Sequence, residues 1–122
     1  MALVTGASKG IGKGVAEGLG EAGCTVYLTG RSSSKDSPPK SLTIEATAES
    51  VESFGGKAIP IELDHNNDNE VSSLFERIER EQGRLDILVN NAGGSGGFAP
   101  ASELSDEAWQ EAASWILHSA FW

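Results

Sequence analysis

Apolar residues recur along the chain with two spacings, and their alternation predicts four strands and four helices. Ala2 to Val4 is a short apolar stub that stops at Thr5-Gly6, the end of a strand. Ile11, Val15 and Leu19 stand four apart, on one face of a helix running to about Gly20, with Gly23 as a stop. Thr25 to Thr29 is β-branched and aromatic, a second strand. Ser32 to Lys40 is rich in Ser and Pro and reads as loop. Ile44, Ala48 and Val51 mark a second helix, closed by Gly55-Gly56. Lys57 to Leu63 follows as a third strand, and Val71, Leu74, Phe75 and Ile78 mark a third helix ending near Gly83. Leu85 to Val89 is almost continuously apolar, the pattern of a strand covered on both faces. Asn90 to Ser102 is a Gly-rich loop, and Asp106 to about Phe121 is helical, capped by Ser105 or Asp106. Strands alternating with helices in this way imply βαβ units and a parallel sheet.

Composition narrows the class. A chain of 122 residues allows one domain. A domain of this size buries roughly two thirds of its unfolded surface. The 39% apolar content fits a globular chain rather than a disordered one. Nine Lys and Arg against 18 Asp and Glu give a net charge of −9, which argues against nucleic acid or an anionic membrane as partner. The partner expected is a small molecule held by local donors. The one cysteine, Cys24, can form neither an internal disulfide nor a multi-cysteine zinc site, and is expected to pack at the start of the second strand. No apolar run approaches the roughly 20 residues that cross a bilayer. No basic-then-apolar leader is visible, so the cytoplasm is the default compartment.

The candidate chemistry lies between the first strand and the first helix, in Thr5-Gly6-Ala7-Ser8-Lys9-Gly10-Ile11-Gly12. Gly6 would allow the tight turn out of the strand, Gly10 the approach of a pyrophosphate, and Gly12 close packing of helix on sheet. The helix start would then offer N–H groups and a positive dipole end to phosphates. A phosphate loop of the Walker type is excluded. Five residues separate Gly6 from Gly12, and Gly14 follows Lys13 where Ser or Thr is needed. The strand, helix and βαβ frame around the glycines predict a Rossmann-type doubly wound parallel sheet of the α/β class. At the end of the second strand, an acidic residue would bind the 2′-hydroxyl of NAD; Gly30-Arg31 stands there instead. A guanidinium suits a 2′-phosphate, and Lys9 could add a second positive charge, so NADP is expected and NAD less so.

The glycine segment, followed by Asn90-Asn91-Ala92-Gly93, resembles the short-chain dehydrogenase/reductase family, from residue 1 to about Gly93. The phrase from Arg80 to Asn90 is similar to one branch of it. The resemblance implies that Gly6, Ser8, Lys9, Gly10, Ile11 and Gly12 line the phosphates. It further implies that Arg31 with Lys9 holds the 2′-phosphate, that Asp64 meets the adenine, and that Asn90, Ala92 and Gly93 pass beside the ribose and nicotinamide. On the residues alone, Asp64 reads equally as a strand-end turn, and Asn90-Asn91 as a loop held by side-chain to backbone bonds.

The same resemblance implies chemistry by a serine and a Tyr-x-x-x-Lys pair, the tyrosine moving the proton and the lysine lowering its pKa. Tyr27 is the one tyrosine here, in the second strand, with Arg31 four residues on. The family's helix asparagine falls by count at Ile116. Either the correspondence ends before that point or the C-terminal stretch is unusual. Two functions are therefore expected in parallel. One is the cofactor-binding half of an oxidoreductase acting on a carbonyl or alcohol. The other is a truncated, non-catalytic product that at most binds nucleotide. On either, an incomplete four-strand sheet in the order 3-2-1-4 leaves the fourth strand at an edge, and the chain should associate. Trp109, Trp115, Ile116 and Phe121 make the last helix apolar, suited to the core or to contact with a second copy. His65 and His118 have no second ligand or base at useful spacing, and read as a turn residue and a helix-surface residue.

Overall fold

A computed structural model describes residues 1–32, 42–93 and 100–117. Most of the Ser/Pro-rich loop, part of the Gly-rich loop, His118 and Phe121 lie outside the described residues. The elements are β1 (Ala2–Val4), α1 (Gly10–Glu21), β2 (Thr25–Gly30), α2 (Ile44–Ser53), β3 (Lys57–Glu62), α3 (Asp68–Gln82), β4 (Ile87–Val89) and α4 (Asp106–Leu117). A short 3-10 turn, Ala101–Glu103, precedes α4. All strand pairs are parallel, in the order β3-β2-β1-β4. This is the doubly wound α/β arrangement that the sequence predicts.

Strand periodicity builds the two layers. Ala2, Val4, Val26 and Leu28 point to one face and pack with Ala7, Ala16, Ala48 and Val51 from the α1 and α2 side. Leu3 and Tyr27 point to the other, against Leu63, Val71, Leu74 and Ile78 of the α3 side. A period of two along β1 and β2 thus separates two cores, one per face of the sheet. Tyr27 is wholly buried; its hydroxyl donates to Glu81 Oε2 at 2.5 Å and accepts from Gln82 Nε2 at 3.3 Å, docking the end of α3 on the sheet. Burial and the Glu81 carboxylate raise the phenol's pKa, so it stays protonated.

Helix ends follow local chemistry. Thr43 caps α2 by accepting from the Ala46 N–H at 3.1 Å. Asn67 caps α3 by accepting from the N–H groups of Asn69 and Glu70, and Gly83 ends it in the left-handed conformation at φ 66°. Ser105 is the cap of α4, accepting from the Ala108 N–H at 3.2 Å. Cys24 packs half-buried against the first core, just before β2.

Two expectations change. β4 begins at Ile87 rather than Leu85; just before it, the Asp86 carboxylate pairs with the Met1 ammonium at 3.0 Å and with Arg84. β4 is not covered on both faces: it is the sheet edge, with Ile87 37% and Leu88 43% exposed. Trp109 on α4 is 68% exposed, so it lies outside the core. Among the described residues, no helix is long and apolar enough to cross a membrane.

Candidate functional site

In a sheet of parallel strands every carboxyl end opens on the same side, and ligands settle in the crevice outside those ends. There the chain places the glycine segment after β1, Arg31 after β2, Asp64 after β3, and Asn90, Ala92 and Gly93 after β4. All eleven expected site residues therefore share one rim.

The two glycine-bearing segments are clasped together. Gly6 turns out of β1 at φ 65°, and a Cβ on it would stand 2.8 Å from Ala92 Cα. A Cβ on Gly12 would meet Asn91 Nδ2 at 2.4 Å and the Gly6 carbonyl oxygen at 2.6 Å. The closeness that Gly12 permits is thus to the loop after β4 and to the glycine turn. Asn91 Nδ2 donates to Thr5 O at 2.8 Å and to Gly6 O at 3.0 Å. Thr5 Oγ1 accepts from the N–H groups of Asn91 and Ala92 at 2.9 and 2.8 Å, and donates to Val89 O at 3.3 Å. Thr5 and Asn91 are the clasp, and neither stands among the expected ligand-lining residues. The partners are more than 80 residues apart, and only a tertiary fold pairs them.

The start of α1 is uncapped and free of acidic residues. Lys9 is its N-cap residue, in extended conformation, and supplies no side-chain cap; no acidic residue lies in the first turn. The starts of α2 and α3 carry both. Gly10 has φ 58°, and among the described residues no atom lies within 4 Å of where its Cβ would be. Ser8 is buried and Lys9 exposed beside it. Ile11 departs from the predicted core stripe: it is 79% exposed, beside the glycine turn. The buried face of α1 is Gly12, Ala16 and Gly20, with Val15 and Leu19 at its margin. The helix sits too close to its neighbours for large side chains; a Cβ on Gly56 would lie 2.6 Å from Gly20 Cα.

Arg31 and Asp64 line one cleft, with Glu62, Leu63 and Glu70. Gly30 admits the chain there, since its Cβ would press Ile44 Cγ2 at 2.9 Å. Asp64 is also a turn residue: Oδ1 accepts from the Asn66 N–H at 3.0 Å, and its own N–H donates to Glu70 Oε2 at 2.9 Å. The next residue, His65, does follow the strand end, but it is 6% exposed and its Nε2 lies 2.7 Å from Thr29 Oγ1 in a buried hydrogen bond. His65 is the turn residue that the sequence reads, but its burial carries no periodic signal. Burial pushes its pKa below the ordinary value, with Asp64 opposing weakly.

The sequence profile described as short chain dehydrogenase matches residues 1–122. Over 91 residues the chain is 50% identical to the mouse (Mus musculus) dehydrogenase/reductase SDR family member 1, covering 74% of this chain and 26% of that protein. It is 35% identical over 119 residues to a 3beta-hydroxysteroid dehydrogenase of Mediterraneibacter gnavus, covering 98% of this chain and 40% of that one. Among solved structures, a metagenomic short-chain oxidoreductase in complex with NADP superposes with a TM-score of 0.80 at 30% identity, over 97% of this chain and 50% of that one. The chain thus spans half or less of the length of these relatives.

Proposed function

The chain belongs to the short-chain dehydrogenase family of oxidoreductases, and on that footing we propose that its strand-end rim binds NADP. The observation that carries this reading is the uncapped, acid-free start of α1, where no atom of the described residues crowds Gly10, held in place by the Thr5–Asn91 clasp. Main-chain N–H groups of the glycine segment, with Ser8, Lys9 and Ile11 beside them, would take the diphosphate. Arg31, aided by Lys9, would take the 2′-phosphate. Asp64 would meet the adenine, and Asn90, Ala92 and Gly93 would flank the ribose and nicotinamide. The NADP-bound relative covers the same span of chain, which supports the choice of nucleotide.

Bound nicotinamide supplies or accepts a hydride in exchange with a carbonyl or alcohol carbon. The proton that accompanies it must come from a group other than Tyr27, whose hydroxyl is buried and committed to Glu81 and Gln82. The activity we assign to these 122 residues is accordingly nucleotide binding, with a small carbonyl or alcohol compound as substrate of the whole protein. We assign the exposed Trp109 face of α4 to contact with a second copy, and the cytoplasm as compartment. Titration of the chain with NADPH, followed by nicotinamide fluorescence, should give saturable binding that NADP displaces. A folded sample with no saturable binding would overturn the proposal.

A further inference from the structure

His65 is the one buried imidazole among the described residues, and it joins parts of the rim that are distant in sequence. Its neighbour Asp64 lines the cleft with Arg31. Its ring shares a hydrogen bond with Thr29, two residues before Arg31. The Thr29 carbonyl in turn accepts from the Ala7 N–H of the glycine segment at 2.8 Å. The ring also lines a small internal cavity with Thr5, Leu88, Asn90 and the α3 residues Val71 and Phe75. A single residue thus braces the ends of β2 and β3 behind the surface that faces the nucleotide.

We propose that His65 is a positioning residue of the nucleotide cleft: as a neutral ring bonded to Thr29 it fixes the turn bearing Asp64, and protonation loosens that turn and weakens nucleotide binding. The proposal rests on the nucleotide-binding reading above. A second proton makes both ring nitrogens donors. The Thr5 hydroxyl has no capacity left, since it donates once and accepts twice. Around the ring, β1 and β4 contribute Leu3, Thr5, Leu88 and Asn90, and α3 contributes Val71, Leu74 and Phe75, none of them charged. β2 contributes Thr29, and among the described residues Asp64 is the one charged group acting on the ring. A buried cation so poorly partnered leaves its site rather than staying.

The test measures NADPH affinity of the full chain from pH 7.5 to 5.0, in the native protein, His65→Gln and Thr29→Val. Glutamine can keep a bond to Thr29 but cannot titrate. His65→Gln should bind within about twofold of native at pH 7.5, where Thr29→Val should be weaker by about fivefold, the loss of one buried hydrogen bond. As the pH falls, native affinity should drop more steeply than that of His65→Gln, the extra slope approaching tenfold per unit for one proton. The 2′-phosphate itself titrates near pH 6, but equally in both proteins, so the difference between profiles is the readout. Parallel profiles would overturn this inference and leave nucleotide binding standing. Tighter native binding at low pH would overturn it too, showing the ring acting as a charge on the phosphates. No binding by any folded variant would remove the nucleotide reading and this inference with it.

Discussion

The Cβ that Gly12 lacks would stand 2.4 Å from Asn91 Nδ2, the atom that bonds the carbonyls of Thr5 and Gly6. Gly12→Ala must therefore displace Asn91 and also press the Gly6 carbonyl. Overpacking of this kind costs about 1–3 kcal/mol, and here a backbone atom is in the way, so about 3 kcal/mol is expected. Gly10→Ala meets no atom of the described residues but keeps φ 58°, which costs about 1–2 kcal/mol. Gly14→Ala meets no atom of the described residues, lies inside α1, and should stabilise by about 0.5–1 kcal/mol. Urea denaturation of the three variants checks the order.

Arg31→Ala should weaken NADPH binding by about tenfold, the value of one charge-assisted phosphate contact, and leave NADH nearly unchanged. Glu62 and Glu70 line the same cleft and oppose a phosphate there. Glu70 accepts from the Asp64 main chain and the Asn67 side chain, so removing its charge would also disturb that turn. Glu62→Gln should tighten NADPH binding by up to about fivefold, in line with an exposed charge effect of up to about 1 kcal/mol. Calorimetric titration with both nucleotides tests the pair.

Four strands, their order and the rim were legible in the sequence because each rests on local signals: apolar runs, glycine stops, and the right-handed crossovers that follow from them. The parts that were not legible are long-range. Asn91 is an ordinary polar loop residue until β4 pairs with β1 and brings it over Thr5. Ile11 keeps helical phase with Val15 and Leu19, yet the close approach of α1 to Asn91 and Gly56 hands the buried face to small residues. His65 becomes buried only because α3 folds back over the β3 end, which no spacing around it announces.

Stability should fall as the pH drops from 7 to 5, above the range in which ordinary carboxylates titrate. The folded state holds the His65 pKa below 6.5, while the unfolded chain titrates near 6.5. The unfolded state takes the proton first, so stability present above that pH is lost on going down through it. His65→Gln should flatten the urea midpoint over this interval; an unchanged slope would contradict the assignment.

Leu88 is 43% exposed on the edge strand, a surface that invites pairing with another chain. The 122-residue chain should associate as its concentration rises, and Leu88→Lys should shift it towards monomer in sedimentation velocity. A native chain that stays monomeric throughout would contradict this.

The central claim is that main-chain amides of the glycine segment grip the diphosphate of NADP. Backbone amide NMR during NADP titration reads it directly. The account predicts the largest shifts at Gly6, Ser8, Lys9, Gly10, Ile11 and Gly12, with smaller ones at Arg31, Asp64 and Asn90 to Gly93. A well-dispersed spectrum in which those amides stay still at saturating NADP would contradict it.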